Sequence, residues 1–228
     1  MTRTILVLLV LCAALPGRPG LRAKEGKELP ILFQDDFRNG IASWEPTDPA
    51  AWKAIDVGMG KALSQFKQST YKPPHRSPFN IALVKGVTVG DFVFEARVRN
   101  TARPSDRQDV CVIFGHRDPA HFYYAHVAPK QDDHHHQVFI VNGADRKKIT
   151  DKANAGMKWD DQWHRVRVVR TSSAGMIAVY IDDFKTPVLT ATDKTFLDGR
   201  VGVGSFDDMA DWTDVTLRGV KIAERPAK

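Results

Sequence analysis

Histidines, tyrosines and carboxylates gather in two short stretches of this 228-residue chain. DPAHFYYAH, at 118–126, carries His121, Phe122, Tyr123, Tyr124 and His126; QDDHHHQ, at 131–137, carries two aspartates and three histidines. A neighbouring tyrosine and histidine are the pair a β-eliminating polysaccharide lyase uses, moving a proton while a cation neutralises the uronate carboxylate. Tyr124 and His126 are candidates for that pair, His116 is a third titratable group nearby, and Arg97 and Arg99 are candidates for the cation. Packing, or stacking on a sugar ring, is the competing use of the same aromatics. The histidine run has ligands for a transition metal, but consecutive side chains of a strand point to opposite faces. Only His134 and His136 would converge, with His116, His121 or His126 completing the set. The alternative for this run is a solvated hairpin tip.

Other chemistries lack their residues. The chain has two cysteines, Cys12 and Cys111, so no disulfide framework exists. Cys111 sits in DVCVIFG with no cationic neighbour to lower its pKa, and reads as a small buried hydrophobe. There is no Gly-x-Ser-x-Gly elbow, and GVGS at 202–205 lies in a strand-like context, so no phosphate loop is expected. The five glutamates are Glu25, Glu28, Glu45, Glu95 and Glu224; only Glu95 falls in a central strand, which leaves no paired carboxylates for retaining glucan hydrolysis. A net charge of +6 is spread along the chain, so nucleic acid is not an expected partner.

The elements that must hold these residues are strands. Runs with period-2 alternation or β-branched and aromatic enrichment recur at 31–37, 52–57, 62–66, 79–84, 91–100, 108–115, 121–128, 136–142, 146–150, 163–171, 176–182, 188–192, 200–206 and 212–223. IVNGADR and FLDGRVG supply Asn-Gly and Asp-Gly turns between them. No helical stripe longer than a turn or two appears. So many short strands must double up into two packed layers, which predicts an all-β jelly-roll sandwich of two antiparallel sheets. Alternation puts Phe92, Phe94, Ala96 and Val98 on one face and Glu95, Arg97 and Arg99 on the other. It likewise separates Phe122, Tyr124 and His126 from Tyr123, Ala125 and Val127, and makes the first set the ligand-side candidates. Ile177, Val179 and Ile181 form a core set, leaving Tyr180 outside.

Ahead of the strands, MTRTILVLLVLCAALPGRPG places one arginine before an apolar run too short to span a bilayer, the pattern of a secretory signal cleaved near Ala14. Residues 1–22 are read as signal peptide and start of a linker, and 23–228 as one β-sandwich domain. The expectation is an exported protein, in the periplasm, outside the cell or on its surface, with no membrane span after cleavage.

Four landmarks are LFQDDFRNGIASW (32–44), VCVIFGHRDPAHFYYAH (110–126), WDDQWHRVRVVRTSSAGMIAVYIDD (159–183) and GRVGVGSFDDMADWTDVTLRGV (199–220). With them the chain resembles the concanavalin A-like lectin/glucanase superfamily, in its laminin-G-like and 3-keto-disaccharide hydrolase-like branch of secreted bacterial domains. The branch's Tyr-Glu-x-Gln segment is replaced by FYYAHVA, so its catalytic role is not carried over. The resemblance implies a carbohydrate-binding or glycan-associated module, with Arg97, Arg99, Phe122, Tyr124, His126, Arg165 and Tyr180 as ligand-binding candidates. The alternatives are a carbohydrate-active enzyme, either a 3-keto-glycoside hydrolase or lyase relative, and a non-catalytic cell-surface module. No cofactor is required. The resemblance also implies a structural Ca²⁺ tying the first strand to the last, with Asp36, Asp207, Asp208 and Asp214, and with Asp35 and Asp211 nearby, as hard oxygen ligands.

Overall fold

A computed structural model describes residues 28–58 and 60–223. The expected signal segment therefore lies outside the described residues. Fifteen strands and one short 3-10 turn, Pro49–Ala51, account for the regular structure: β1 Ile31–Asp35, β2 Trp44–Pro46, β3 Trp52–Val57, β4 Gly60–Gln65, β5 Asn80–Asn100, β6 Val110–Asp118, β7 His121–Val127, β8 Gln137–Asn142, β9 Lys147–Lys148, β10 Thr150–Ala153, β11 His164–Thr171, β12 Met176–Ile181, β13 Leu189–Thr192, β14 Gly199–Ser205 and β15 Ala210–Ile222. Among the described residues no helix is long and apolar enough to cross a membrane.

Two of the expected strands, 79–84 and 91–100, are one 21-residue strand, β5. Its first half pairs with β2 and β14, its second half with β11 and β15, so it belongs to both layers. Gly86, at φ 65°, lies within the part that pairs with β14, in a conformation that a residue with a Cβ rarely adopts. One layer runs β2-β5-β14-β6-β7-β8-β9; the other runs β10-β13-β12-β11-β5-β15, with β1 and the β4-β3 hairpin on β15. All pairings are antiparallel.

The core between the layers has the side chains that alternation assigns to it. Phe92, Phe94, Ala96 and Val98 of β5 meet Val166 and Val168 of β11 and Ile177, Val179 and Ile181 of β12; from the other layer come Val110, Val112 and Phe114 of β6 and Tyr123, Ala125 and Val127 of β7. Burying each large side chain contributes roughly 1.5–3 kcal/mol, which stabilises a fold without disulfides. Arg170 ends the run RVRVVR at 165–170, whose alternation of charged and apolar residues is that of an exposed strand, yet it is buried. It is on the same face as Val166 and Val168, is 3% exposed, and donates to the carbonyls of Gly175 (2.7 Å), Asp193 (2.9 Å) and Phe196 (3.1 Å). Tyr123 completes this end of the core: its hydroxyl donates to Asp193 and accepts the Phe196 N–H at 2.9 Å.

Strand β14 passes between β5 and β6 with almost no room. A Cβ on Gly204 would lie 1.9 Å from the Asn80 carbonyl oxygen, so GVGS is a close-approach strand.

Candidate functional site

The outer face of the β5-β14-β6-β7-β8 layer carries a second apolar cluster: Ile81, Leu83, Cys111, Ile113, Phe122, Tyr124, Phe139 and Val141, all at most 4% exposed. Phe122, Tyr124 and His126 thus point away from the main core, as alternation requires, yet solvent does not reach Phe122 or Tyr124. A proline-stiffened segment without strand structure, 67–79, is anchored at both edges of this layer. Thr70 binds the Asp48 carboxylate beside β2 at one edge of the layer (N–H 2.8 Å). Arg76 donates its N–H to the Asp145 carboxylate at 2.9 Å, in the β8–β9 turn at the other edge, and accepts the Arg146 N–H. The segment spans the face and returns to β5 at Phe79, whose N–H donates to the Phe206 carbonyl.

At one end of this layer lies a pocket of about 330 Å³, lined by Arg76, Arg107, Asp109, His126, Asp132, His134, His135, Arg146, Phe206 and Asp207. The lining comes from strand β7, through His126, and from five connections: the crossing segment, the β5–β6 loop, the β7–β8 loop, the β8–β9 turn and the β14–β15 loop. Arg146 organises one wall. Its guanidinium lies 4.4 Å from the Phe206 ring centroid and 4.5 Å from that of Phe139, and donates to the Tyr124 hydroxyl (3.0 Å) and the His134 carbonyl (3.2 Å). Such cation–π contacts hold the charge in place at the pocket wall.

The floor is acidic. Asp109 is 1% exposed; its Oδ1 accepts the Phe206 N–H at 2.6 Å, and its Oδ2 is 3.6 Å from His126 Nε2. Asp208 accepts the Asp109 N–H at 2.7 Å. Burial, and then the negative charge of Asp109, push the Asp208 carboxyl up to about 6 and raise that of Asp207 as well. Burial, followed by Asp109, also raises the Cys111 thiol well above its ordinary value, so it is a protonated thiol. Tyr124 is pushed up by burial, against the pull of Arg146.

The ligand-binding candidates do not form one site. Phe122, Tyr124 and His126 are on the outer face of one layer; Arg97, Arg99, Arg165 and Tyr180 are on the outer face of the other, with the core between them. On that second face the cations are already engaged. Arg97 pairs with Asp214 at 3.3 Å and Arg99 with Asp211 at 2.7 Å, both close to the Trp163 ring, and Arg165 lies 4.2 Å from the Phe184 centroid. The split follows from β5 serving both layers: residues 91–100 pair with β11 and β15, never with β7. The cation beside Tyr124 and His126 is Arg146. His116, the third catalytic candidate, is five residues along β6 from Cys111 and outside the pocket lining; burial first, then Arg200, lowers its pKa to about 4.

The histidine run divides in the same way. His136, at φ 53°, turns inward and is fully buried; its Nδ1 accepts the Ala128 N–H at 3.3 Å and its Nε2 donates to Asn154 Oδ1 at 2.7 Å. With both nitrogens used it cannot share a metal with His134. His135 and the N–H of His134 instead bind Asp132, whose carboxyl, despite partial desolvation, they hold down at about 2.

The calcium set separates too. Asp36 and Asp214 line an open groove with Gln34, Asp35, Asn39, Val215 and Thr216, whereas Asp207 and Asp208 cluster with Asp109. In the groove the carboxylates are occupied: Asp35 accepts from Trp44 Nε1 (2.9 Å) and the Phe37 N–H (2.8 Å), and Asp36 pairs with Arg38 (3.3 Å).

No protein-family model matches the sequence, and no curated protein matches it at a significant level. Solved structures do resemble it. A carbohydrate-binding module, CBM66, from Bacillus subtilis superposes at a TM-score of 0.55 with 19% identity, over 78% of this chain and 97% of the module. Domain 4 of AbnA, a GH43 extracellular arabinanase from Geobacillus stearothermophilus solved with arabinotriose, gives 0.52 with 12% identity, over 86% of this chain and 96% of that domain. A Bacillus subtilis protein with a galectin-like fold gives 0.51 with 11% identity, over 87% of this chain and 99% of that one. The fold is a concanavalin A-like jelly-roll β-sandwich.

Proposed function

We propose that this protein is an exported, non-catalytic carbohydrate-binding module whose site is the pocket at Arg107, His126, Arg146 and Phe206. The observation that carries the reading is the lining itself. Three guanidinium groups, three carboxylates and three imidazoles face about 330 Å³, the space of one or two sugar units. Guanidinium and carboxylate groups each present paired donors or acceptors, the arrangement that grips vicinal hydroxyls, and Phe206 gives an apolar wall. A pocket closed at its floor by Asp109 accepts a chain end better than a chain interior. The neighbours that bind carbohydrate by name support the class, and the apolar leader at 5–15 supports export.

The elimination reading is weaker on geometry. Tyr124 is fully buried, its hydroxyl accepts from Arg146, and burial keeps it protonated, so it is poorly placed to take a proton from a sugar. The laminin-G-like or 3-keto-disaccharide hydrolase-like branch remains the proposed ancestry.

A glycan array followed by affinity measurement tests the reading. Arg107 is an exposed pocket residue, and removing one charge-assisted hydrogen bond costs about 1.5–3 kcal/mol. Arg107→Ala should weaken binding of the array hit at least about tenfold while leaving the sugar chemically intact after incubation. Undiminished affinity in Arg107→Ala would exclude this pocket, and released product would exclude a pure binding role.

A further inference from the structure

We propose that Asp109, Cys111 and His126, with Asp207 as the fourth ligand, form a binding site for a divalent transition ion of the zinc class at the floor of the pocket. The strands place these three residues together. Asp109 immediately precedes β6, two residues before Cys111, and Cys111 is directly opposite His126 on β7. One ligand atom from each of the three lies within 4.8 Å of the others, and the same holds for Asp109, Asp207 and Asp208, so Asp109 is common to both groups.

Two separations, one to each carboxylate oxygen of Asp109, fall in the range a tetrahedral ion needs. Bonds of about 2.0–2.3 Å to oxygen, nitrogen and sulfur require ligand atoms roughly 3.3–3.8 Å apart. Cys111 Sγ is 3.6 Å from Asp109 Oδ1, and His126 Nε2 is 3.6 Å from Asp109 Oδ2.

A second observation points the same way. His126 is 2% exposed and lines the pocket, yet its Nδ1 has no hydrogen-bond partner and its Nε2 is too far from Asp109 for a good one. A buried imidazole in this state loses its hydration without recompense, and coordination through Nε2 would supply the partner that this nitrogen lacks. The local charge adds to the argument. Asp109 forms no ion pair with a lysine or arginine among the described residues, while two further carboxylates crowd it. A bound dication neutralises that crowding.

Thiolate and imidazole beside carboxylate is a donor set for zinc or cobalt rather than for calcium, which takes oxygen alone. Coordination replaces the S–H bond of Cys111 with an S–metal bond, and the proton leaves to solvent through the pocket.

The test uses the full chain carrying Cys12→Ser, so that Cys111 is its one thiol, titrated with Co²⁺ in the absence of any sugar. One equivalent should produce a sulfur-to-cobalt charge-transfer band in the near ultraviolet together with intense visible bands of four-coordinate cobalt. Zn²⁺ should abolish both. Cys111→Ser should remove the charge-transfer band, His126→Gln should weaken Co²⁺ at least about tenfold, and the double change His134→Ala with His135→Ala should leave the spectrum unchanged. Absence of the charge-transfer band from the parent protein overturns the proposal whatever the variants do. Its loss on removing His134 and His135 does so as well. Because no glycan is present, failure here is distinct from failure of the binding reading.

Discussion

Acid should loosen this protein through His136, a residue outside the pocket. Its buried ring accepts from the Ala128 N–H and donates to Asn154, so both nitrogens are committed to the neutral form. Protonation would put an N–H against the Ala128 N–H. Burial is the main reason its pKa falls from 6.5 to about 4. The sign follows directly. Below pH 6.5 the unfolded chain takes up a proton that the folded chain refuses, so stability present above 6.5 is lost as pH falls toward 4. At about 1.4 kcal/mol per pH unit the interval is worth roughly 3 kcal/mol. His136→Asn is the informative variant, since asparagine tolerates the φ of 53° and its Oδ1 can still accept the Ala128 N–H. Urea unfolding of both proteins between pH 4 and 8 measures the difference. The parent's stability relative to the variant should drop by roughly 3 kcal/mol between pH 7.5 and 4. A difference that stays constant within about 0.5 kcal/mol would refute the assignment of His136 as a neutral, doubly bonded ring.

The pocket floor titrates in the opposite sense. With its carboxyl raised to about 6, Asp208 favours folding most below pH 3.8 and loses that contribution as pH rises through 6. In EDTA at pH 7.5, Asp208→Asn should therefore be more stable than the parent by about 1–2 kcal/mol, a figure reduced for the side chain's partial exposure, and the advantage should vanish near pH 4. Arg170→Met should cost about 3 kcal/mol or more in urea unfolding, because three buried carbonyls lose a charged donor. Arg170→Lys should recover only part of that, since one ammonium cannot span all three.

Much of the fold was legible because strand alternation reports directly on which side chains face a core. The inward sets at 92–98, 123–127 and 177–181 follow from the period of two. Two features escaped it. Alternation does place Arg170 beside Val166 and Val168, but an arginine at the end of RVRVVR looks like the solvated side of a strand; only the carbonyls of 175, 193 and 196, far along the chain, make its burial tolerable. Segment 67–79 carries no periodic pattern at all, and its three prolines mark it only as extended. Yet it is anchored at both edges of the layer that carries Phe122 and Tyr124. The site was less legible for the same reason. Arg76, Arg107, Arg146 and Phe206 come from four separate connections, and no spacing in one dimension links them. The clue to Arg146 was its position just after the Asn-Gly turn at 142–143, which returns the chain beside the β7–β8 loop. Asp109 and Cys111 had a clearer signal in their i, i+2 spacing opposite His126.

Amide hydrogen exchange with and without the glycan that binds tightest on an array tests the central claim most directly, because it locates the ligand without any mutation. Binding at the proposed pocket should slow exchange at 131–135, 143–146 and 206–208 and leave 163–167 and 180–184 unchanged. Protection of the Arg97–Arg165–Tyr180 face instead, with the first three segments unaffected, would contradict it.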